Sequence, residues 1–296
     1  MSVKFLAPQD GFLGLSGKDA ATPQDAKAWI IPFGLEASVS YGSGTAAGPD
    51  AMLTASHQVE LFDEVFWSET FRNYGVATMK PLPHPSEVEP ALSVLEEAVQ
   101  DALDQGKFPL VFGGEHSLTP GAIRPFVAAH ETLTILQFDA HADLRNGYDG
   151  EHYSHAAAMR RCLDHDNVRL VSVGIRNISA EEIPFLEENK DRIEIFWGKD
   201  QKSWKLDDIV AAVGTGPTYI TFDIDGFDSS LMPATGTPEP GGLFWNETME
   251  IIAAVSKSAN IVGADIVELA PQEGLHGCDF IAAKLAYKIL NYALSS

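Results

Sequence analysis

Short apolar runs alternate with longer amphipathic stretches along most of the chain. The apolar runs are rich in β-branched and aromatic residues, which predicts buried strands. These predicted strands cover residues 28–33, 108–112, 133–138, 168–173, 193–197 and 218–222, with one more inside 260–269. The amphipathic stretches repeat apolar residues every three or four positions, which is typical of helices. The predicted helices cover residues 87–105, 122–129, 206–213, 246–258 and 279–293.

This alternation predicts a chain of βαβ units. Such units form a mostly parallel sheet with helices on both faces, so we expect a three-layer α/β/α fold. No interior segment has the composition of a linker, which predicts that residues 1–296 form one domain, with 1–27 as a polar N-terminal arm. Ser179, followed three positions later by Glu182, predicts a capping box that opens a further helix.

The charge balance excludes two classes of partner. The chain has 20 Lys+Arg against 42 Asp+Glu, which gives a formal net charge of −22. Nucleic acids and anionic membrane surfaces attract basic clusters, so neither is expected to bind this chain. A cationic small molecule is compatible with the charge.

Cysteine usage and the absence of targeting signals bear on the compartment. Cys162 and Cys278 are too few for a disulfide framework and form no metal-binding pair. The N-terminus lacks the apolar core of a signal peptide, and no apolar run approaches the roughly 18 residues of a membrane span. A cytoplasmic location is therefore expected.

Acidic residues and histidines follow the predicted strands at the points where the strands end. GGEHS occupies residues 113–117, DAHAD 139–143 and DIDGFD 223–228, and Glu268 follows the strand inside 260–269. Ligands of open parallel sheets bind beyond the carboxyl ends of strands, and buried acids there need a partner. The candidate metal ligands are His116, Asp139, His141, Asp143, Asp223 and Asp225. Four carboxylates and two imidazoles suit a pair of hard divalent cations such as Mn²⁺.

The segments GGEHS, DAHADLR and DIDGFDSSLMPATGTPEPGG together resemble the ureohydrolases, the arginase/agmatinase family. The resemblance extends from about residue 28 onward. It implies the arginase-like fold and a hydrolase that releases urea from a guanidino compound. It also implies two Mn²⁺ per subunit, a metal-bridging hydroxide that attacks the guanidinium carbon, and a homo-oligomer, either a trimer or a hexamer.

The resemblance also implies a role for each site residue. It assigns His116 and Asp143 to the first metal, His141 and Asp225 to the second, and Asp139 and Asp223 to both. Glu268, in ADIVELAP, matches the family glutamate that holds the guanidinium. His155, in SHAAAMRR, matches the family histidine that shuttles protons, with the nearby His152 as an alternative.

Several segments favour agmatine, which would give putrescine and urea in polyamine biosynthesis. Arg145 stands where arginases supply an Asn that grips an amino acid, which argues against arginine as the substrate. The loop between Asp143 and His155 carries Asp149 and Glu151, one of which could meet the distal ammonium of agmatine. The same type of loop resembles enzymes that act on N1-aminopropylagmatine, and the sequence does not separate these two substrates.

Other functions remain open at this point. Within the family, N1-aminopropylagmatine, guanidinobutyrate or arginine could be the substrate. A mononuclear zinc deacylase of acetylated polyamines is a more distant alternative, although such enzymes usually keep fewer carboxylates. A metal-stabilised scaffold without activity is the non-enzymatic alternative, and the presence of Glu268 and His155 argues against it.

Overall fold

A computed structural model of the protein describes residues 3–295. Within them an eight-stranded sheet has the order β2-β1-β3-β8-β7-β4-β5-β6, and every pair of neighbouring strands is parallel. The strands are β1 Ala28–Phe33, β2 Val76–Thr78, β3 Phe108–Gly113, β4 Leu133–Phe138, β5 Val168–Val173, β6 Ile193–Phe196, β7 Pro217–Asp223 and β8 Asn260–Val267. The parallel sheet predicted from the sequence is confirmed.

Helices cover both faces of this sheet, as expected for a three-layer α/β/α fold. The helices are α1 Gly48–Ser56, α2 Phe71–Tyr74, α3 Val88–Asp104, α4 Thr119–Ala129, α5 Ala158–Cys162, α6 Ile183–Glu188, α7 Leu206–Val213, α8 Trp245–Val255 and α9 His276–Leu294. One core contains buried residues of α1, α2, α7, α8 and α9, and the other contains those of α3, α4 and α5. Alternate strand residues belong to opposite cores, because side chains of a strand alternate between its faces. In β4, for example, Ile135 belongs to one core and Leu136 to the other.

The predicted elements are present, with differences at their ends. Helix α9 begins three residues before the predicted start, and α8 ends three residues before the predicted end. The sequence analysis missed β2 and the short helices α1, α2 and α5. These elements are too short to show a hydrophobic period, and they are held in place by tertiary packing.

The capping box predicted at Ser179 is wrong. The Ser179 backbone N–H donates to Glu182 Oε2 over 2.5 Å, which is one half of such a box, but α6 begins after Glu182. The Ser179 hydroxyl has no hydrogen-bond partner within residues 3–295. The other oxygen of Glu182 instead accepts from the Leu144 backbone N–H at 2.8 Å, so this carboxylate braces the loop that follows β4.

The N-terminal arm lies against the core. Phe12, Leu13 and Leu15 are buried there, and residues 1 and 2 of the predicted arm lie outside the described residues. Cys162 and Cys278 are both buried and free. Among residues 3–295, no helix has the length and hydropathy needed to cross a membrane.

A buried ion pair joins the loop before α2 to α9. Asp63 and Lys288 are at most 1% exposed, and the Lys288 ammonium lies 3.0 Å from Asp63 Oδ2. Asn291 Nδ2 donates to the same carboxylate at 2.7 Å, and the Val65 N–H donates at 2.8 Å. Burial alone raises the pKa of Asp63, but these donors outweigh it and hold that pKa below its ordinary value.

We expect Asp63→Asn to lower the free energy of unfolding by about 3 kcal/mol, because it removes the buried counter-charge of Lys288 and leaves only the exposed Glu64 carboxylate beside that ammonium. Glu64→Gln is the matched control, since Glu64 contacts the same ammonium at 2.8 Å from an exposed position. Its cost should stay within about 1 kcal/mol. Urea denaturation of both variants measures the difference, and equal costs would contradict a dominant role for the buried pair.

Candidate metal centre

The predicted site residues meet at the carboxyl end of four neighbouring strands. Strands β3, β8, β7 and β4 are adjacent in the sheet, so the segments that follow them share one edge. A cavity of about 320 Å³ opens there. Its lining includes seven of the eight predicted residues: His116, His141, Asp143, His155, Asp223, Asp225 and Glu268. The eighth, Asp139, is fully buried against His116 and His141.

Carboxylates and imidazoles form two overlapping groups at the base of this cavity. His116 Nδ1 lies 3.1 Å from both Asp139 Oδ2 and Asp143 Oδ2, and 3.3 Å from Asp223 Oδ2. His141 Nδ1 lies 3.0 Å from Asp225 Oδ2 and 3.7 Å from Asp139 Oδ1. Ligand atoms of His116, Asp139 and Asp223, and likewise of Asp139, His141 and Asp225, lie within 4.8 Å of one another. Asp139 belongs to both groups.

The local sequence explains how these carboxylates are held. The backbone N–H of His141 donates to Asp139 Oδ1 at 2.6 Å, and that of Asp225 donates to Asp223 Oδ1 at 2.9 Å. Both contacts are Asx turns, in which an aspartate accepts from the residue two positions on. The Ala140 N–H donates to Asp225 Oδ1 at 3.0 Å and so ties the two turns together. Each D-x-[HD] motif thus fixes its first carboxylate and aims the second ligand.

Burial and like charge make the site electrostatically unfavourable on its own. Burial and the neighbouring Asp139 raise the pKa of Asp143 to about 7. Burial, Asp225 and Asp139 raise the pKa of Asp223 well above its usual range. Burial lowers the pKa of His141, but Asp225 and Asp139 outweigh it and raise that pKa to about 12. A bound divalent cation would remove this repulsion, so the residues fit a metal centre.

A chain of hydrogen bonds behind His116 fixes its tautomer. The Thr221 hydroxyl donates to Asp265 Oδ1 at 2.7 Å, so its oxygen accepts from His116 Nε2–H at 2.9 Å. The lone pair of His116 Nδ1 therefore faces three carboxylate oxygens. This buried atom makes no hydrogen bond within the described part of the chain. A proton or a metal ion has to lie between these groups. Burial lowers the pKa of His116, but Asp139, Asp143 and Asp223 outweigh it and raise that pKa, which favours the proton when no metal is bound.

Two of the predicted site residues have left-handed backbone conformations. Asp143 has φ +54° and Glu268 has φ +64°. Non-glycine residues in this region cost on the order of 1–3 kcal/mol and persist where their surroundings fix them. The Glu268 N–H donates to Gly114 O at 2.8 Å, and Glu268 Oε1 accepts from the His116 N–H at 2.7 Å. Burial raises the pKa of Glu268 to about 8. The strain aims this carboxylate into the cavity.

His155 is oriented by a second buried carboxylate. Glu115 is fully buried and accepts from the Ala37 and Ser38 backbone N–H groups, each at 2.7 Å, and from Ser38 Oγ at 2.8 Å. Because the Ser38 hydroxyl donates its hydrogen bond to Glu115, its oxygen can act as an acceptor. Ser38 Oγ accepts from the His155 backbone N–H at 2.9 Å and lies 3.2 Å from His155 Nδ1. Burial lowers the pKa of His155. This arrangement places the ring proton on Nδ1 and leaves Nε2 free.

Only some of the residues that the sequence suggested for substrate recognition lie on the outer wall of the cavity. Tyr148 and Arg145 line the cavity, and the Arg145 guanidinium stacks over the Tyr148 ring at 5.2 Å. Asp149, Glu151 and the alternative shuttle His152 line a neighbouring surface depression instead. The structure therefore brings His155, but not His152, to the cavity, and it keeps both candidate acids of the loop outside it.

Several functional side chains were missed by the sequence analysis. Asp265 had a signal, because it is a charged residue inside an otherwise apolar strand. Glu115 belongs to the GGEHS motif, but the motif gave this residue no role. Ser38 and Thr221 could not be recognised from the sequence, because their contacts are with residues distant in sequence. Glu36 accepts from the Gly44 and Ala46 N–H groups and closes the 37–46 loop.

Comparison with known proteins gives consistent results. The arginase family matches residues 26–292 of the chain. The N(1)-aminopropylagmatine ureohydrolase of a Synechocystis species is 36% identical over 278 residues, covering 90% of this chain and 89% of that protein. A protein of the same name from Thermus thermophilus is 32% identical and covers 92% of each chain. The crystal structure of agmatine ureohydrolase from Thermoplasma volcanium has a TM-score of 0.82 at 29% identity, covering 93% of both chains.

We expect Thr221→Val to weaken the binding of a divalent metal ion, tested with Mn²⁺, by about ten-fold, because it removes the acceptor that orients His116. Isothermal titration of the metal-free protein measures this change, and Thr221→Ser should restore the affinity. Thr134→Val is the control, since its buried hydroxyl lies on β4 and contacts Val213 O, away from the cavity. An unchanged affinity in Thr221→Val would contradict the orienting role.

Proposed function

The chain belongs to the arginase family, and on that premise we propose that it is a manganese-dependent ureohydrolase whose substrate is N1-aminopropylagmatine. Hydrolysis of that substrate gives urea and a triamine. The observation that carries the proposal is the cavity itself, which is lined by five of the six candidate metal ligands, Glu268 and His155, with the sixth candidate, Asp139, buried behind it. The family match supports a ureohydrolase over the zinc deacylase and scaffold alternatives.

The choice of substrate departs from the sequence-based expectation. The sequence favoured agmatine and kept N1-aminopropylagmatine as an alternative. The relatives named for N1-aminopropylagmatine support that alternative, with identities of 36% and 32% over most of the chain. The Arg145 side chain on the cavity wall pairs with Glu181, which is consistent with the argument against arginine. Agmatine becomes the second candidate, supported by the likeness to an agmatine ureohydrolase.

The proposed metal ligands combine the two overlapping groups with the roles that the family resemblance implies for Asp143 and Asp223. His116 and Asp143 would hold the first manganese, His141 and Asp225 the second, and Asp139 and Asp223 would contact both. When bound, the metal pair supplies a nucleophile at neutral pH, because divalent cations lower the pKa of water. The Thr221–Asp265 chain keeps His116 in the tautomer that a metal requires.

Glu268 and His155 would bind the guanidinium and supply a proton to the leaving amine. One Glu268 oxygen accepts from the His116 N–H, so the other is available to a guanidinium N–H. A cationic guanidinium also favours the charged form of Glu268, whose pKa burial raises to about 8. His155 presents Nε2, at which it could hold the proton that the departing amine needs. The buried Glu115–Ser38 pair keeps this ring in place.

We expect the Mn²⁺-loaded protein to release urea from N1-aminopropylagmatine with a kcat/KM about ten-fold above that for agmatine, because the longer amine can make more contacts in the cavity. Arginine and guanidinobutyrate should be poorer substrates than either. A urea assay on this substrate series measures the ranking. A higher kcat/KM for agmatine would show that agmatine, and not N1-aminopropylagmatine, is the preferred substrate. If the manganese-loaded protein released urea from none of these compounds, the scaffold alternative would be favoured.

We expect Asp223→Asn to lower kcat by at least about a hundred-fold and to reduce bound manganese, because it replaces a carboxylate shared by both proposed metals. Metal content measured by atomic absorption accompanies the urea assay. Asp200→Asn is the control, since Asp200 is half-exposed beside Lys199 on the surface. Full activity with two metals retained in Asp223→Asn would show that the shared ligand is misassigned.

A further inference from the structure

The loop formed by residues 228–242, here the Glu239 loop, is fixed at its backbone to the metal centre. The Arg176 guanidinium donates to the carbonyl oxygens of Asp225 at 2.7 Å, Phe227 at 3.1 Å and Glu239 at 2.9 Å. The Ser229 N–H also donates to Glu239 O, at 3.2 Å. One arginine therefore fixes the position of Glu239 relative to a proposed metal ligand.

The side chain of Glu239, in contrast, has no protein partner. Glu239 lines the cavity and is half-buried, and its carboxylate makes no hydrogen bond or ion pair with any residue of the described chain. Arg145 lines the same cavity, but it pairs with Glu181. The other acid of the outer wall, Glu182, has both oxygens occupied by backbone N–H groups. Glu239 is thus the acidic group of this wall that is free to bind a ligand.

Two aromatic rings accompany this carboxylate. Tyr41 is 86% exposed and Tyr148 is 39% exposed, and both line the cavity. The segment that carries Tyr41 contacts the Glu239 loop, since a Cβ placed on Gly42 would lie only 2.9 Å from Gly236 Cα. Exposed tyrosine faces attract ammonium groups by cation–π interaction. The Arg145 guanidinium already lies over the Tyr148 ring, so Tyr41 is the tyrosine that this wall offers to a ligand. An unpaired carboxylate and an exposed tyrosine together favour an organic cation over an anion or a neutral tail.

We propose that Glu239, assisted by Tyr41, binds an ammonium group of the substrate away from the guanidinium. This inference rests on the proposed function, because it takes the guanidinium to lie at the metal centre beside Glu268. It replaces Asp149 and Glu151 as the candidates for this contact, since both lie in the neighbouring depression. Glu239 then selects substrates whose far end is cationic.

Glu239→Gln tests the proposal against a substrate that lacks the ammonium. The KM for N1-aminopropylagmatine, divided by the KM for butylguanidine, should rise about ten-fold in the variant, because only the first substrate loses a charged contact. The Ki of spermidine, a triamine without a guanidinium, should rise by a similar factor. Glu151→Gln is the matched control and should leave both quantities unchanged. An unchanged KM ratio in Glu239→Gln, or a ten-fold rise in Glu151→Gln, would overturn the proposal.

A failure of the proposed function can be distinguished from a failure of the ammonium subsite. If the wild-type protein releases no urea from N1-aminopropylagmatine, the proposed function fails. Calorimetric titration of spermidine into the metal-loaded wild-type and Glu239→Gln proteins still tests the subsite. Binding weakened about ten-fold in the variant would support it, and equal affinities would overturn it.

Discussion

The structure depends on one constraint, which is that four carboxylates are buried together and need positive charge between them. Asp139, Asp143, Asp223 and Asp225 are all at least nine-tenths buried, and they face two imidazoles. Without a cation the raised pKa values of Asp143 and Asp223 record the resulting repulsion. The surrounding residues resist this repulsion: Asx turns fix the aspartates, and the Thr221–Asp265 chain fixes the imidazole of His116.

Much of the fold and the base of the site could be predicted, because both depend on local patterns. The apolar runs predicted seven strands close to their observed bounds. Of the D-x-H-x-D and D-x-D motifs, His141, Asp143, Asp223 and Asp225 line the cavity, and Asp139 is buried behind it. What could not be predicted depends on tertiary contacts. The role of Ser38 arises from Glu115 and His155, which lie 77 and 117 positions away. Glu239 was within a recognised segment, but only the structure shows that its carboxylate has no partner among residues 3–295.

The base and the wall of the cavity differ in how their side chains are held. At the base, every acidic group is held by backbone N–H groups or faces an imidazole, so the geometry is rigid. On the wall, the Glu239 side chain and two exposed tyrosines are unrestrained by such bonds, although Arg176 fixes the backbone of Glu239. The base therefore suits chemistry that all members of such a family share, and the wall suits recognition that differs between them.

The strand order determines when, during folding, the candidate metal centre can form. Strand β8 is the last strand in sequence, yet it lies between β3 and β7 and carries Glu268 at its end. The two halves of the sheet, and with them the ligands that follow β3 and β7, cannot reach their final spacing until β8 is inserted. The candidate metal ligands therefore come together only when β8 is in place. Since a ligand of the folded state shifts the folding equilibrium, the metal would stabilise complete molecules and leave truncated ones unprotected.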